Sequence, residues 1–326
     1  MIAIYILAIN LITISVVNAN EFSYDGKTGP ENWDKTCKGK HQSPIDIDVL
    51  HVKKVKLPPL KFENFDIQPE STTVTNNGHT VMFTVKTAKG SEPTIDGGPF
   101  KTGKYVFSQL HFHWGDNDTY GSEDSFNGKH FPMELHVVFY KQKYGTQENA
   151  LKHEDGLAVL AFFFVIAQKP NPSYVEVSKL LKRIISPNTN ATFEDPLALE
   201  DYMHSNMHEY YVYNGSLTTP PCLEVVTWLD FYNPIQISHS QLENFRSLQD
   251  NEGNLLSHNF RPVQPIGDRI VWLTSKQFDH QDEDLHDEIH GQKKNKKKRR
   301  KNSSSKVNCS LTALFLSMML VLEKIF

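Results

Sequence analysis

Runs of Val, Ile, Thr and aromatic residues recur along the chain at 73–75, 80–87, 105–114, 134–140, 157–166, 210–213, 224–231 and 270–273, separated by Pro- and Gly-containing stretches. Such runs of β-branched and aromatic residues between turn formers predict strands. Apolar residues at three and four spacing predict helices in only two places. One covers 175–185 after Asn171-Pro172-Ser173, and the other covers 240–248 after Ile237-Ser238. The pattern predicts a mainly β (α+β) domain, a large twisted and mostly antiparallel central sheet with short peripheral helices. Between about residues 21 and 280 no repeat or low-complexity linker interrupts the chain, so 20–280 reads as one domain with a substantial core.

The ends differ from this body. Residues 1–19 open with the apolar run Ile2 to Ile9 and close on Val17-Asn18-Ala19, small residues suited to a signal peptidase, which predicts a secretory signal. Five N-x-[ST] sequons, at Asn117, Asn190, Asn214, Asn302 and Asn308, agree with that route. A charged linker, acidic and then polybasic, spans 281–306 and includes Lys293 to Lys301; a hydrophobic tail spans 307–326. Residues 292–306 hold nine of the 34 basic residues and no acidic one, which leaves 25 basic against 38 acidic residues elsewhere, a net of −13. The basic charge is therefore local and suits a glycan or an anionic lipid, or simply a solvated linker. No nucleic-acid partner is expected. The apolar run 311–322 is shorter than the ~20 residues a spanning helix needs. Small residues Ser303 to Ser305 ahead of it resemble a glycolipid (GPI-type) attachment signal. The expected location is the extracellular face of the plasma membrane, lipid-anchored, or free secretion.

Cys37 and Cys222 are the only cysteines in the body, and in an oxidising compartment they most simply form one disulfide, the alternative being two free thiols. Closing so long a loop contributes roughly 5 kcal/mol by chain entropy. Cys309 lies in the tail.

The candidate chemistry begins at His111-Phe112-His113-Trp114, followed by Glu134-Leu135-His136. Alternate residues of a strand share a face, so His111 and His113 project together, and an antiparallel neighbour can bring His136 beside them. Three neutral imidazoles plus water suit a catalytic Zn²⁺ better than a closed structural site. An HxH pair alone is a weak signal; agreement with other segments gives it weight. Gln109 shares parity with the pair and Glu134 with His136, and such groups accept the free imidazole N–H and fix ring orientation. An ionised Glu123 only accepts hydrogen bonds, so a Thr218 hydroxyl donating to it keeps a lone pair for a zinc-bound hydroxide.

Asp25 to Trp33, Gln42-Ser43-Pro44-Ile45-Asp46-Ile47, Asn76-Asn77-Gly78-His79, Gln109 to Gly115, Glu134-Leu135-His136, Gly215 to Pro221 and Arg261-Pro262 follow one order and spacing. Over about residues 22–275 the chain thereby resembles the α-class carbonic anhydrases, in particular secreted or membrane-anchored members. The resemblance implies a fold on a ten-stranded central sheet and a zinc lyase (carbonate dehydratase) that reversibly hydrates carbon dioxide to bicarbonate and a proton. It implies His111, His113 and His136 as zinc ligands, with Thr218 and Glu123 orienting the hydroxide and the Thr218 backbone N–H receiving a substrate oxygen. Val138, Val159, Leu217, Val226 and Trp228 match the family's apolar substrate wall. His79 matches the proton shuttle, with Tyr24, Asn77 and Thr219 ordering the intervening water. Cys37 and Cys222 match a family disulfide. Three positions depart from the common pattern: Met82 stands where many members have a polar residue, Phe22 where Trp is frequent, and Asp124 where His is common. A glycan on Asn214 would be expected beside Thr218, at the mouth.

Two other readings compete. A non-catalytic cell-surface binding module of the same family typically lacks a zinc histidine, and all three are present here. A zinc hydrolase of another class needs a general acid near the metal, and no motif supplies one.

Overall fold

A computed structural model describes residues 22–204 and 206–274. The expectations for 1–19, 281–306 and 307–326, together with Cys309, Asn302 and Asn308, lie outside the described residues.

Two short strands, β1 (Asp46–Ile47) and β8 (Ser125–Phe126), pair in parallel apart from the main sheet. The other strands in chain order are β2 (Lys53–Val55), β3 (Leu60–Glu63), β4 (Ser71–Asn76), β5 (Val81–Lys86), β6 (Thr94–Gly97), β7 (Phe100–Trp114), β9 (Met133–Lys141), β10 (Leu157–Ala167), β11 (Thr189–Thr192), β12 (Tyr210–Gly215), β13 (Val226–Ser238) and β14 (Trp272–Thr274). They form a twelve-stranded sheet whose main path runs β11-β4-β5-β7-β9-β10-β13-β12-β14-β2, with β3 and β6 attached beside β7. Ten strands thus lie on the path, as expected. Its pairs are antiparallel except β10 with β13 and β14 with β2.

Central strands are covered on both faces. One face buries Leu110, Phe112, Leu135, Val137, Leu160, Phe162, Leu229 and Phe231 in the larger core. The opposite face of the same strands carries Val138, Val159, Ala161, Val226 and Trp228. Double burial explains why β10 reads as the unbroken apolar run Leu157 to Ala167 rather than as an alternating one.

The helices are short: α1 (Gln147–Ala150), α2 (Val175–Leu181) and α3 (His239–Arg246). Helix α3 starts at a capping box in which Ser238 Oγ accepts from Gln241 N and Gln241 Oε1 accepts from Ser238 N. Helix α2 ends before the predicted residue 185 because the chain tightens into i→i+3 turns, with Arg183 N donating to Leu180 O and Ile184 N to Leu181 O, ahead of Pro187. Strand β13 runs past its predicted end at 231, through Asn233-Pro234, where a register shift against β10 between Phe162 and Phe164 accommodates the proline.

Candidate active site

Strands β7 and β9 are paired with His111 directly opposite His136 and His113 opposite Glu134. With Phe112, Leu110 and Leu135 turned to the larger core, the three imidazoles point to the other face. Their ring centroids are 4.6–5.2 Å apart. Each ring has one nitrogen committed outward. His111 Nδ1 donates to Gln109 Oε1 at 2.9 Å, His113 Nδ1 to the Asn259 carbonyl at 2.7 Å, and His136 Nε2 to Glu134 Oε1 at 2.7 Å. Those bonds leave His111 Nε2, His113 Nε2 and His136 Nδ1 as the free lone pairs. One ligand atom from each ring lies within 4.8 Å of the others. His113 Nε2 is buried without a hydrogen-bond partner. Burial and the neighbouring imidazoles hold His111 and His136 well below the ordinary histidine range, so both are neutral, the form that binds a metal. Three ring nitrogens whose opposite nitrogens are hydrogen-bonded away fit Zn²⁺ with one coordination position left over.

Around the trio the other predicted residues fall as follows. Glu134 is buried; its Oε2 accepts from Glu123 N at 2.7 Å and Asp124 N at 3.0 Å. Burial, then the carboxylates of Asp124, Glu123 and Asp230, push it well above the ordinary range. Glu123 Oε1 accepts from Arg261 N at 2.9 Å, while Oε2 is buried, unpaired, and 3.5 Å from His113 Nε2. Thr218 is buried too, and no hydrogen bond joins it to Glu123, whose Oε2 has no hydrogen-bond partner. Asp124, at the departure following Glu123, accepts from Ile45 N and Tyr213 Oη, and burial followed by the Glu123 charge raises it to about 7.

Val138, Val159 and Trp228 stand in one row across β9, β10 and β13, and the Trp228 ring lies 4.7 Å from that of His136. Val226 and Leu217 extend this wall. His79 sits in a turn that Asn77 closes by accepting from both His79 N and Thr80 N, so the Asn77 carboxamide oxygen is spent on the backbone. Tyr24 keeps its hydroxyl proton, since burial and the Glu123 charge push its pKa up. Thr219 O accepts from Cys222 N, and Cys222 is bonded to Cys37. Met82 lies opposite His111 on β5.

Sequence reasoning missed Asn259. Its backbone carbonyl orients His113; its side-chain Oδ1 accepts from Trp114 N, and its Nδ2 donates to the carbonyls of Phe112 and His79. A backbone acceptor leaves no side-chain signature, although Asn259 is two residues before the Arg261-Pro262 motif. Asn214 also corrects an expectation. Tyr213 stacks on Trp228, so the neighbouring Asn214 side chain projects to the other face of β12, away from the apolar wall.

The sequence matches the family profile described as eukaryotic-type carbonic anhydrase over residues 28–275. That span contains the histidine trio together with Gln109, Glu123, Glu134, Thr218 and Asn259. The chain belongs to the carbonic anhydrase family. This carbonic anhydrase is 37% identical over 261 residues to carbonic anhydrase 15 of Mus musculus, covering 76% of this chain and 81% of that one. It is 34% identical over 273 residues to carbonic anhydrase 6 of the same species, covering 81% and 84%. With carbonic anhydrase 4 of Rattus norvegicus it shares 37% over 251 residues, covering 75% and 79%. The family's metal is zinc, and the carbonic anhydrase trio His111, His113 and His136 provides the donor set for it.

Proposed function

We propose that the protein catalyses the reversible hydration of carbon dioxide to bicarbonate and a proton, with His111 Nε2, His113 Nε2 and His136 Nδ1 holding the zinc. The observation that carries this is the convergence of three ring nitrogens whose opposite nitrogens are all hydrogen-bonded away. Bound there, zinc lowers the pKa of a coordinated water to about 7 and so supplies a nucleophile at neutral pH. The unpaired Glu123 Oε2 is the acceptor available to the Thr218 hydroxyl, and donation to it turns a Thr218 lone pair toward the nucleophile. Carbon dioxide carries no charge or net dipole, so the wall of Val138, Val159, Leu217, Val226 and Trp228 binds it weakly and lets charged bicarbonate leave. His79, whose imidazole can both take and release a proton, carries it outward through water held by Tyr24, Asn77 and Thr219. The domain is read as 20–280, secreted behind a removed signal at 1–19 and tethered outside the cell by a lipid on the segment ahead of 307–326, with Lys293 to Lys301 free to meet polyanions. Among the described residues no helix is long and apolar enough to cross a membrane.

Stopped-flow hydration assays test the activity. His136→Ala is expected to abolish it, while His79→Ala keeps the reaction in concentrated buffer, slows it at least several-fold in dilute buffer and is partly rescued by imidazole. Full activity in His136→Ala would reject the mechanism; a buffer-independent His79→Ala would reject the shuttle alone.

A further inference from the structure

We propose that Asn251 is a positioning residue for the proton-exporting imidazole, its side-chain amide holding neutral His79 against Phe22 so that the proton is discharged toward the cavity on that side. The inference rests on the shuttle role proposed for His79.

The backbone of His79 is pinned from two sides. Asn77 Oδ1 accepts from its N–H at 2.9 Å, and Asn259 Nδ2 donates to its carbonyl at 3.1 Å. The His79 ring stacks on Phe22 at 4.1 Å between centroids and 11° between planes. Its Nε2 lies 3.2 Å from Asn251 Nδ2. On its other side the Asn251 amide meets Asn188, whose Nδ2 donates to Asn251 Oδ1 at 3.3 Å, with Asn251 Nδ2 toward the ring. Asn251 reaches this position only because residue 78 is glycine. Gly78 has φ +84°, and a Cβ there would meet the Asn251 carboxamide at 2.1–2.5 Å.

An amide N–H donates, so it bonds a ring nitrogen that carries a lone pair. The neutral ring with its proton on Nδ1 satisfies this contact; the imidazolium, with N–H at both nitrogens, does not. When the proton on Nε2 passes to a buffer base, the electron pair left on Nε2 accepts from Asn251, so the contact favours discharge. On this side lies a cavity of about 580 Å³ whose lining includes His79, Asn251, Asp250, Glu252 and His258. Asp25 and Lys27 complete its charged groups. Asp25 Oδ2 faces His258 Nε2 at 3.0 Å, and Asp250 Oδ1 accepts from Glu252 N and Asn254 N. These carboxylates act on His79 equally in Asn251 variants, which makes the variants a clean comparison.

The test is an NMR titration of the His79 ring in the zinc-loaded full chain, its signal assigned by loss in His79→Ala. Asn251→Asp replaces the donor by an acceptor of the same size that prefers the imidazolium. Its midpoint is expected to rise by about one pH unit, and that of Asn251→Ala by a smaller amount. The pH profile of hydration in dilute buffer should move with it. Coincident midpoints in the wild type, Asn251→Asp and Asn251→Ala would overturn the proposal. A moved midpoint together with unchanged dilute-buffer turnover in His79→Ala supports the Asn251 contact and removes the shuttle role instead, so the two failures are distinguishable.

Discussion

Asp230 points from β13 into the face that carries Trp228, fully buried, and neither carboxyl oxygen has a hydrogen-bond partner. Burial, then the charge of Asp124, pushes its pKa well above the ordinary range, so the folded protein holds it protonated. A raised folded pKa makes the contribution to stability complete below the unfolded value of about 3.9, and it is lost progressively as pH rises toward the folded value. Asp230→Asn, which cannot ionise, should therefore gain stability relative to wild type as pH rises above about 4, with a gap that widens with pH in urea melts. A gap independent of pH would show that Asp230 is ionised in the fold. At this scale the zinc trio was legible because strand parity and side-chain type together specify it. Asn259 was not, since its bond to His113 comes from a backbone carbonyl. That Glu123 Oε2 stays without a hydrogen bond here, facing the imidazoles, was not legible, because polarity rules say which groups can pair, not which oxygen faces which neighbour.

Strand β7 carries the site on one face and packs the core with the other. Phe112 lies between the two zinc histidines in sequence and is fully buried, its ring 5.2 Å from that of Phe245 on α3. Phe112→Ala is expected to cost about 3–5 kcal/mol in a denaturant melt and, by loosening the strand, to weaken zinc retention as well. A loss under about 1 kcal/mol would mean the strand is held in place without that packing. The long strands were legible from their apolar and β-branched runs, and α3 from its Ser238 start. Strands β1, β2, β3, β6, β8 and β11 went unpredicted because two to four residues carry too little periodicity and their pairing is decided by distant partners. Predicted ends erred where tertiary pairing overrode local signals, as at Pro234.

For the whole molecule, the disulfide Cys37–Cys222 ties the segment before the sheet to the Thr218–Thr219 turn across 185 residues, so one covalent link spans the domain that holds the site. The cysteine count made this pairing legible, and the tail composition is what the proposed tether rests on. Treating expressing cells with a phosphatidylinositol-specific phospholipase is expected to release the protein into the medium; full retention would contradict the lipid anchor. The central claim is that three imidazoles on β7 and β9 bind one zinc. Metal content of the purified protein tests it most directly. The account predicts one zinc per chain, lost on substitution of His111, His113 or His136 by Ala. Purified wild type without zinc, or zinc retained in full by all three variants, would contradict it.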